Sequence, residues 1–80
     1  DIIAEEIKIA DRMFKITCIN IGNPHCVIIQ DQITKEIAET YGKLIENHPL
    51  FPNRTNVQFV EIIDTANIKI EIWERGAGYT

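Results

Sequence analysis

The chain has 80 residues, of which 45% are apolar and 25% charged, so it can form one small globular domain at most. Its formal net charge is −4 and its 8 basic residues are scattered, which argues against nucleic-acid binding, because such binding uses clustered Lys and Arg. No apolar run approaches the roughly 20 residues of a membrane span, and the start carries no charged-then-apolar leader, so neither a membrane span nor a secretory signal is expected.

Alternating apolar and polar residues near the start predict a hairpin, with strands over about residues 5–10 and 13–21. The turn at Gly22-Asn23-Pro24 ends it, since Pro24 has no N–H to donate to a sheet. The apolar residues that follow predict a short third strand over about residues 25–30.

One amphipathic helix is predicted over about residues 34–46. Thr34 is suited to cap its first turn, and Gly42 weakens its middle by about 1 kcal/mol relative to Ala. Apolar residues recur at three- and four-residue steps and predict a single buried stripe. Its members are Ile37, Ala38, Tyr41, Leu44 and Ile45.

Two further strands are predicted, over about residues 55–63 and 68–73. The last alternates cleanly, with Ile68, Ile70 and Ile72 on one face, and Trp73 on the other face, either in a cleft or beneath neighbouring structure. Because the stripe of a lone amphipathic helix needs a sheet to cover it, five strands and one helix predict an α+β fold.

The two cysteines, Cys18 and Cys26, are too few for a disulfide framework. They form no C-x-x-C pair, and His25 and His48 lie at no metal-ligand spacing, so no metal site is expected. Free thiols indicate a reducing, cytoplasmic location.

Three motifs place chemically active side chains beside turn residues: Gly22-Asn23-Pro24-His25-Cys26, Asn53-Arg54-Thr55-Asn56 and Ile72-Trp73-Glu74-Arg75-Gly76-Ala77-Gly78. In this order, with the linking segment Ile45–Pro52, they resemble the diaminopimelate epimerase family over about residues 14–80. The resemblance implies a curved, mostly antiparallel sheet wrapped around one helix. It also implies that residues 1–80 form part of the C-terminal domain of a two-domain epimerase, with the ligand between the domains.

The resemblance also implies the chemistry. Members of the family interconvert LL- and meso-diaminopimelate for lysine biosynthesis without a cofactor, using one cysteine thiolate as base and one cysteine thiol as acid. In the family each catalytic cysteine lies in a Gly-rich turn that opens a helix, whereas Cys18 and Cys26 lie in predicted strands. We therefore expect no catalytic residue in this chain, both catalytic cysteines outside it, and no activity of the chain alone.

By the same resemblance, Asn23, Asn56, Glu74 and Arg75 bind the substrate, while His25 and Glu74 modulate the pKa values of the catalytic cysteines. Arg75 can hold a carboxylate through two parallel hydrogen bonds. The residues alone leave simpler roles open. Asn is common in turns for local backbone reasons, Glu74 and Arg75 can form a solvated strand end, and His25 can be a strand residue with a satisfied hydrogen bond.

Two alternative functions stay open. Other cofactor-independent isomerases, such as proline racemase-like and phenazine-biosynthesis isomerase-like proteins, share this architecture, and a non-catalytic α+β interaction module is the third reading. The partners implied by the resemblance are diaminopimelate and the remaining parts of the epimerase. Neither nucleic acid nor a membrane is expected, and a homodimer is left open.

Overall fold

A computed structural model describes the backbone of residues 2–80 and the side chains of residues 4–80. One six-stranded sheet carries one helix on one face, which confirms the predicted α+β class and the mostly antiparallel sheet. The elements are β1 (Ile2–Ile9), β2 (Arg12–Asn20), β3 (Pro24–Ile29), α1 (Lys35–Glu46), β4 (Asn56–Ile62), β5 (Ile68–Glu74) and β6 (Gly78–Tyr79).

The strands lie in the sheet in chain order, β1 to β6. All neighbouring pairs are antiparallel except β3 and β4, which are parallel. A parallel pair needs a crossover connection, and α1 provides it. The parallel pairing sets His25 directly opposite Asn56, so the amino-terminal ends of β3 and β4 lie side by side.

The core lies between α1 and the face of the sheet that it covers. Phe14 stands at its centre, with its ring 5.0 Å from the ring of Tyr41 on the helix and 6.3 Å from that of Phe59, both in edge-to-face geometry. The fully buried apolar residues are Phe14, Ile16, Cys26, Ile28, Ile33, Ala38, Ile45, Val57 and Phe59.

The helix begins and ends at polar caps. Thr34 caps it as predicted, because its Oγ1 accepts a hydrogen bond from the Ile37 N–H at 3.1 Å. Asn47 ends it. The predicted apolar stripe is wrong at Leu44, which is 45% exposed, whereas Gly42 is buried against Trp73.

Strand β5 alternates as predicted, but its apolar face is the uncovered one. Ile68 and Ile70 are 57% and 46% exposed. The helix instead covers the face that carries Lys69, whose Nζ donates to the Ile33 carbonyl at 2.9 Å, and Trp73, which packs against Gly42. Trp73 therefore lies beneath the helix.

The ends of the sheet differ from the sequence-based boundaries. Strand β1 already pairs with β2 at Ile2, three residues before its predicted start, with an irregular register between Ile2 and Glu5. The two-residue strand β6 was not predicted; it pairs with the end of β5 across the turn at Arg75–Ala77.

Within residues 2–80 no helix is long and apolar enough to cross a membrane. Assignment of residues 1–80 to a C-terminal domain stays a prediction.

Candidate active site

The three motifs meet at one end of the sheet. His25 at the start of β3 pairs with Asn56 at the start of β4, and Val57 pairs with Trp73 near the end of β5. Because β5 runs antiparallel to β4, its final residue, Glu74, and the following Arg75 come back to the same end. Residues about 30 positions apart, His25 and Asn56, and about 20 positions apart, Asn56 and Arg75, are thus adjacent.

Asn56 joins the three motifs through its side-chain amide. Its Nδ2 donates to the Pro24 carbonyl at 3.0 Å, and its Oδ1 accepts from the Arg75 backbone N–H at 2.9 Å. One short side chain therefore fixes the turn before His25 and the loop that carries Arg75 relative to each other. Both ends of the amide are engaged by backbone.

A cavity of about 570 Å³ opens beside this junction. Its wall includes His25 and Arg75 of the predicted site residues, together with Cys18 and Arg54. The wall therefore includes two arginines, and a guanidinium suits a ligand that carries carboxylates. A single concave surface thus brings together residues from all three motifs.

The other predicted site residues stand at the margin of this cavity. Asn23 is exposed between the lining residues Gly22 and Pro24. Glu74 is exposed at the end of β5, next to Arg75. The structure therefore gathers all five predicted residues at one end of the sheet, with His25 and Arg75 on the cavity wall.

His25 is half-buried, and its ring is oriented by a residue that the sequence analysis missed. The Nδ1 atom of His25 lies 3.0 Å from Nε2 of Gln58, which leaves the Nε2 edge of the ring as its other polar group. Alternate residues of a strand point to the same face, so Gln58 lies on the same face of β4 as Asn56. This alternation could have identified Gln58 from the sequence. The other amide atom, Oε1 of Gln58, is buried and has no hydrogen-bond partner among residues 4–80.

The loop after β5 has the backbone geometry expected from its glycines. Gly76 and Gly78 have φ values of +79° and +89°, in the left-handed region that glycine enters without strain. The Ala77 N–H donates to the Glu74 carbonyl at 3.1 Å and closes the turn. Nη1 of Arg75 lies 3.4 Å from the Asn53 carbonyl, so a weak contact ties its side chain to the second motif.

The two cysteines face each other across β2 and β3, where Cys18 and Cys26 are register partners. Cys26 is fully buried and Cys18 partly buried. Burial raises the pKa of the Cys26 thiol far above its ordinary value, with the charge of the neighbouring Cys18 adding to the rise. Burial is also the largest cause of the raised pKa of Cys18. Both thiols therefore stay protonated at neutral pH, whereas a general base would have to be a thiolate.

No group of three or more His, Cys, Asp or Glu side chains that could hold a metal ion occurs in the part of the chain that the structure describes. The polar groups at the site are an imidazole, amides, a carboxylate and guanidinium groups. Together with the fold, they define an α+β domain with a polar cavity at one end of a mixed sheet.

The chain belongs to the diaminopimelate epimerase family, whose sequence pattern it matches over residues 17–80. It is 52% identical to diaminopimelate epimerase 2 of Nostoc sp. over all 80 residues, which make up 28% of that protein. It is 50% identical over 74 residues to diaminopimelate epimerase of Carboxydothermus hydrogenoformans, covering 92% of this chain and 27% of that protein.

A third relative, diaminopimelate epimerase of Methanococcus maripaludis, is 44% identical over 79 residues, covering 99% of this chain and 28% of that protein. The chain thus spans little more than a quarter of the length of these relatives. The family is therefore established for this segment, which confirms the resemblance read from the three motifs.

Proposed function

We propose that this chain is the substrate-binding segment of a cytoplasmic, cofactor-independent epimerase that interconverts LL- and meso-diaminopimelate. The observation that carries the proposal is the convergence of the three motifs on one cavity, with Arg75 and His25 on its wall. The names of the relatives support the same substrate.

Each predicted binding residue has a role that fits this substrate, which carries two ammonium and two carboxylate groups. Arg75 holds a carboxylate, because its planar guanidinium can donate two parallel hydrogen bonds. Glu74 attracts an ammonium group from the margin of the cavity. Asn23 offers an amide donor and acceptor to the part of the substrate away from the reacting carbon. Asn56 binds the same part of the substrate as Asn23. Its amide is also hydrogen-bonded to the backbone of the other two motifs.

Proton transfer is assigned to two cysteines outside this sequence. One thiolate removes the α-proton, and a thiol on the opposite face delivers a proton to the same carbon, so the configuration inverts without net oxidation. The raised pKa values of Cys18 and Cys26 support this assignment, since neither thiol supplies a thiolate at neutral pH. His25 and Glu74 modulate the acidity of the catalytic thiols through charge and hydrogen bonding.

The test is exchange of the α-proton for deuterium in deuterated water, catalysed by the purified full-length protein that contains this sequence. Diaminopimelate should exchange, and proline and glutamate should not. Replacing Arg75 with Ala should raise KM by about 100-fold, since a bidentate charged contact is worth about 2–3 kcal/mol. Replacing Arg75 with Lys should recover only part of the loss.

Controls separate the binding role from charge and from thiol chemistry. Lys43→Ala removes a positive charge from an exposed helix position and should leave the exchange rate unchanged. Cys18→Ala should also retain exchange. Exchange of proline instead of diaminopimelate would favour the racemase-like alternative, and a folded protein that exchanges no amino acid would favour a non-catalytic module.

The partners, including a homodimer, stay predictions that gel filtration of the protein would address.

A further inference from the structure

Glu46, the last residue of α1, carries a buried carboxylate that the proposed function does not use. The residue is 5% exposed, and three donors from outside the helix converge on it. Nε1 of Trp73 donates to Oε1 at 2.9 Å, the Gly76 backbone N–H donates to Oε2 at 2.7 Å, and Nη1 of Arg54 lies 3.4 Å from Oε2. The three donors come from two of the three motifs.

Helix stability does not explain a carboxylate at this position. The carboxyl end of a helix carries a partial negative charge, so an anion in the last turn is unfavourable there. A buried carboxylate is also strongly destabilising unless hydrogen bonds compensate for its lost hydration. An apolar side chain would fill the same space without either penalty. What Glu46 provides and an apolar residue would not is therefore an acceptor for these three donors.

These contacts bear directly on Arg75. Gly76 is the next residue along the chain, and its N–H is fixed by the Glu46 carboxylate while Asn56 fixes the N–H of Arg75 itself. Both backbone amides that flank the Arg75 side chain are thus anchored. Glu46 also pairs with Arg54, the other arginine that lines the cavity, which leaves Arg75 as the lining arginine without a carboxylate partner among residues 4–80.

We propose that Glu46 is a positioning residue: without touching the ligand, it holds the Arg75–Ala77 loop and Arg54 so that the Arg75 guanidinium faces the cavity. The inference rests on the proposed function for its link to substrate binding. That Glu46 holds the loop rests only on its contacts with Gly76, Trp73 and Arg54.

The test is Glu46→Gln in the same purified full-length protein. The amide keeps the shape of the side chain but places an N–H₂ group against either Trp73 Nε1–H or the Gly76 N–H, so one donor loses its acceptor. KM for diaminopimelate should rise about tenfold with little change in kcat, because a misplaced Arg75 loses binding to substrate and transition state equally. A merely structural role would lower the folded fraction and leave KM unchanged.

A double variant makes the test specific. If Glu46 acts through Arg75, Glu46→Gln should add little to KM once Arg75 is Ala. An equal rise in KM in both backgrounds would overturn the proposal. Glu39→Gln, an exposed carboxylate on the same helix, is the matched control and should change neither constant.

A second measurement does not depend on activity. Trypsin cleaves after Arg75, and Glu46→Gln should accelerate this cleavage several-fold while Glu39→Gln leaves it unchanged. If the wild-type protein acts on diaminopimelate and neither KM nor cleavage responds to Glu46→Gln, the positioning role fails and the proposed function stands. If the wild-type protein is inactive, the proposed function fails and cleavage alone decides whether Glu46 holds the loop.

A milder variant covers the case in which Glu46→Gln does not fold. Trp73→Phe removes the Nε1 donor together with part of the indole, and keeps an aromatic ring against the helix. It should raise KM by about two- to threefold, since one of the three donors is lost. Unchanged KM and cleavage in that variant would then contradict the proposal.

Discussion

A Cβ atom added to Gly42 would lie 2.6 Å from the Cβ atom of Trp73. Real side-chain carbons do not approach this closely, so the absence of a side chain at Gly42 is what lets the helix lie directly on Trp73. The same close approach brings Nε1 of Trp73 to the Glu46 carboxylate one helical turn later.

Gly42→Ala should therefore destabilise the protein, by about 1–3 kcal/mol, because the added methyl group overpacks the contact with Trp73. Helix propensity alone predicts the opposite, a gain of about 1 kcal/mol. Urea unfolding monitored by circular dichroism measures the difference. Thr40→Ala, at an exposed position of the same helix, is the control and should stabilise slightly. A stabilised Gly42→Ala protein would show that the contact can relax freely.

The helix and five of the strands could be predicted because their signals are local. A three- to four-residue apolar period and a capping Thr34 lie within one element, and alternation lies within one strand. Alternation in β5 separates two faces but does not say which one the helix covers. The structure covers the face with Lys69 and Trp73 and leaves Ile68 and Ile70 exposed.

From the sequence, only the site residues that lie in the three motifs could be predicted. They identified His25 and Arg75, which the structure places on one cavity wall. The partners of Asn56 and Glu46 were not predictable, because these contacts join residues that lie 8 to 32 positions apart and depend on the parallel pairing of β3 and β4. From the sequence alone, a Glu at the end of an amphipathic helix is assigned to the solvent-exposed polar face.

Asn56→Asp should uncouple the first motif from the other two. The substituted carboxylate can still accept from the Arg75 N–H, but it cannot donate to the Pro24 carbonyl, and two acceptors then face each other. We expect a loss of stability of about 1–3 kcal/mol and a fall in kcat/KM of at least about tenfold, measured by urea unfolding and by deuterium exchange. Gln32→Glu makes the same amide-to-carboxylate change at an exposed position outside the cavity wall; it is the matched control and should retain both properties.

Gln58→Leu should separate function from stability. The substitution removes the hydrogen bond to His25 Nδ1, but it also removes the buried Oε1 atom that has no partner. These two changes oppose each other, so the free energy of unfolding should change by less than about 1 kcal/mol. Exchange activity should fall and its pH profile should shift, because the His25 ring loses the contact that orients it. An unchanged profile would show that His25 does not act on the reaction.

Stability should decrease at alkaline pH through Cys26. Burial raises the pKa of this thiol in the folded state above that of the unfolded chain, so the folded state binds the proton more tightly. The resulting stability is complete below about pH 8.5, where an exposed thiol is protonated. It is lost as the pH rises from there towards the folded-state pKa, by up to about 1.4 kcal/mol for each pH unit.

Urea unfolding between pH 7 and pH 10 under reducing conditions measures this slope. Other groups also ionise in this range, so the informative quantity is the difference between the wild-type protein and Cys26→Ala, in which the slope should be shallower. Cys18→Ala should reduce the slope less, because Cys18 is only partly buried while Cys26 stays in the core. Equal slopes in the wild-type and Cys26→Ala proteins would mean that the Cys26 thiol ionises in the folded state as readily as in the unfolded chain.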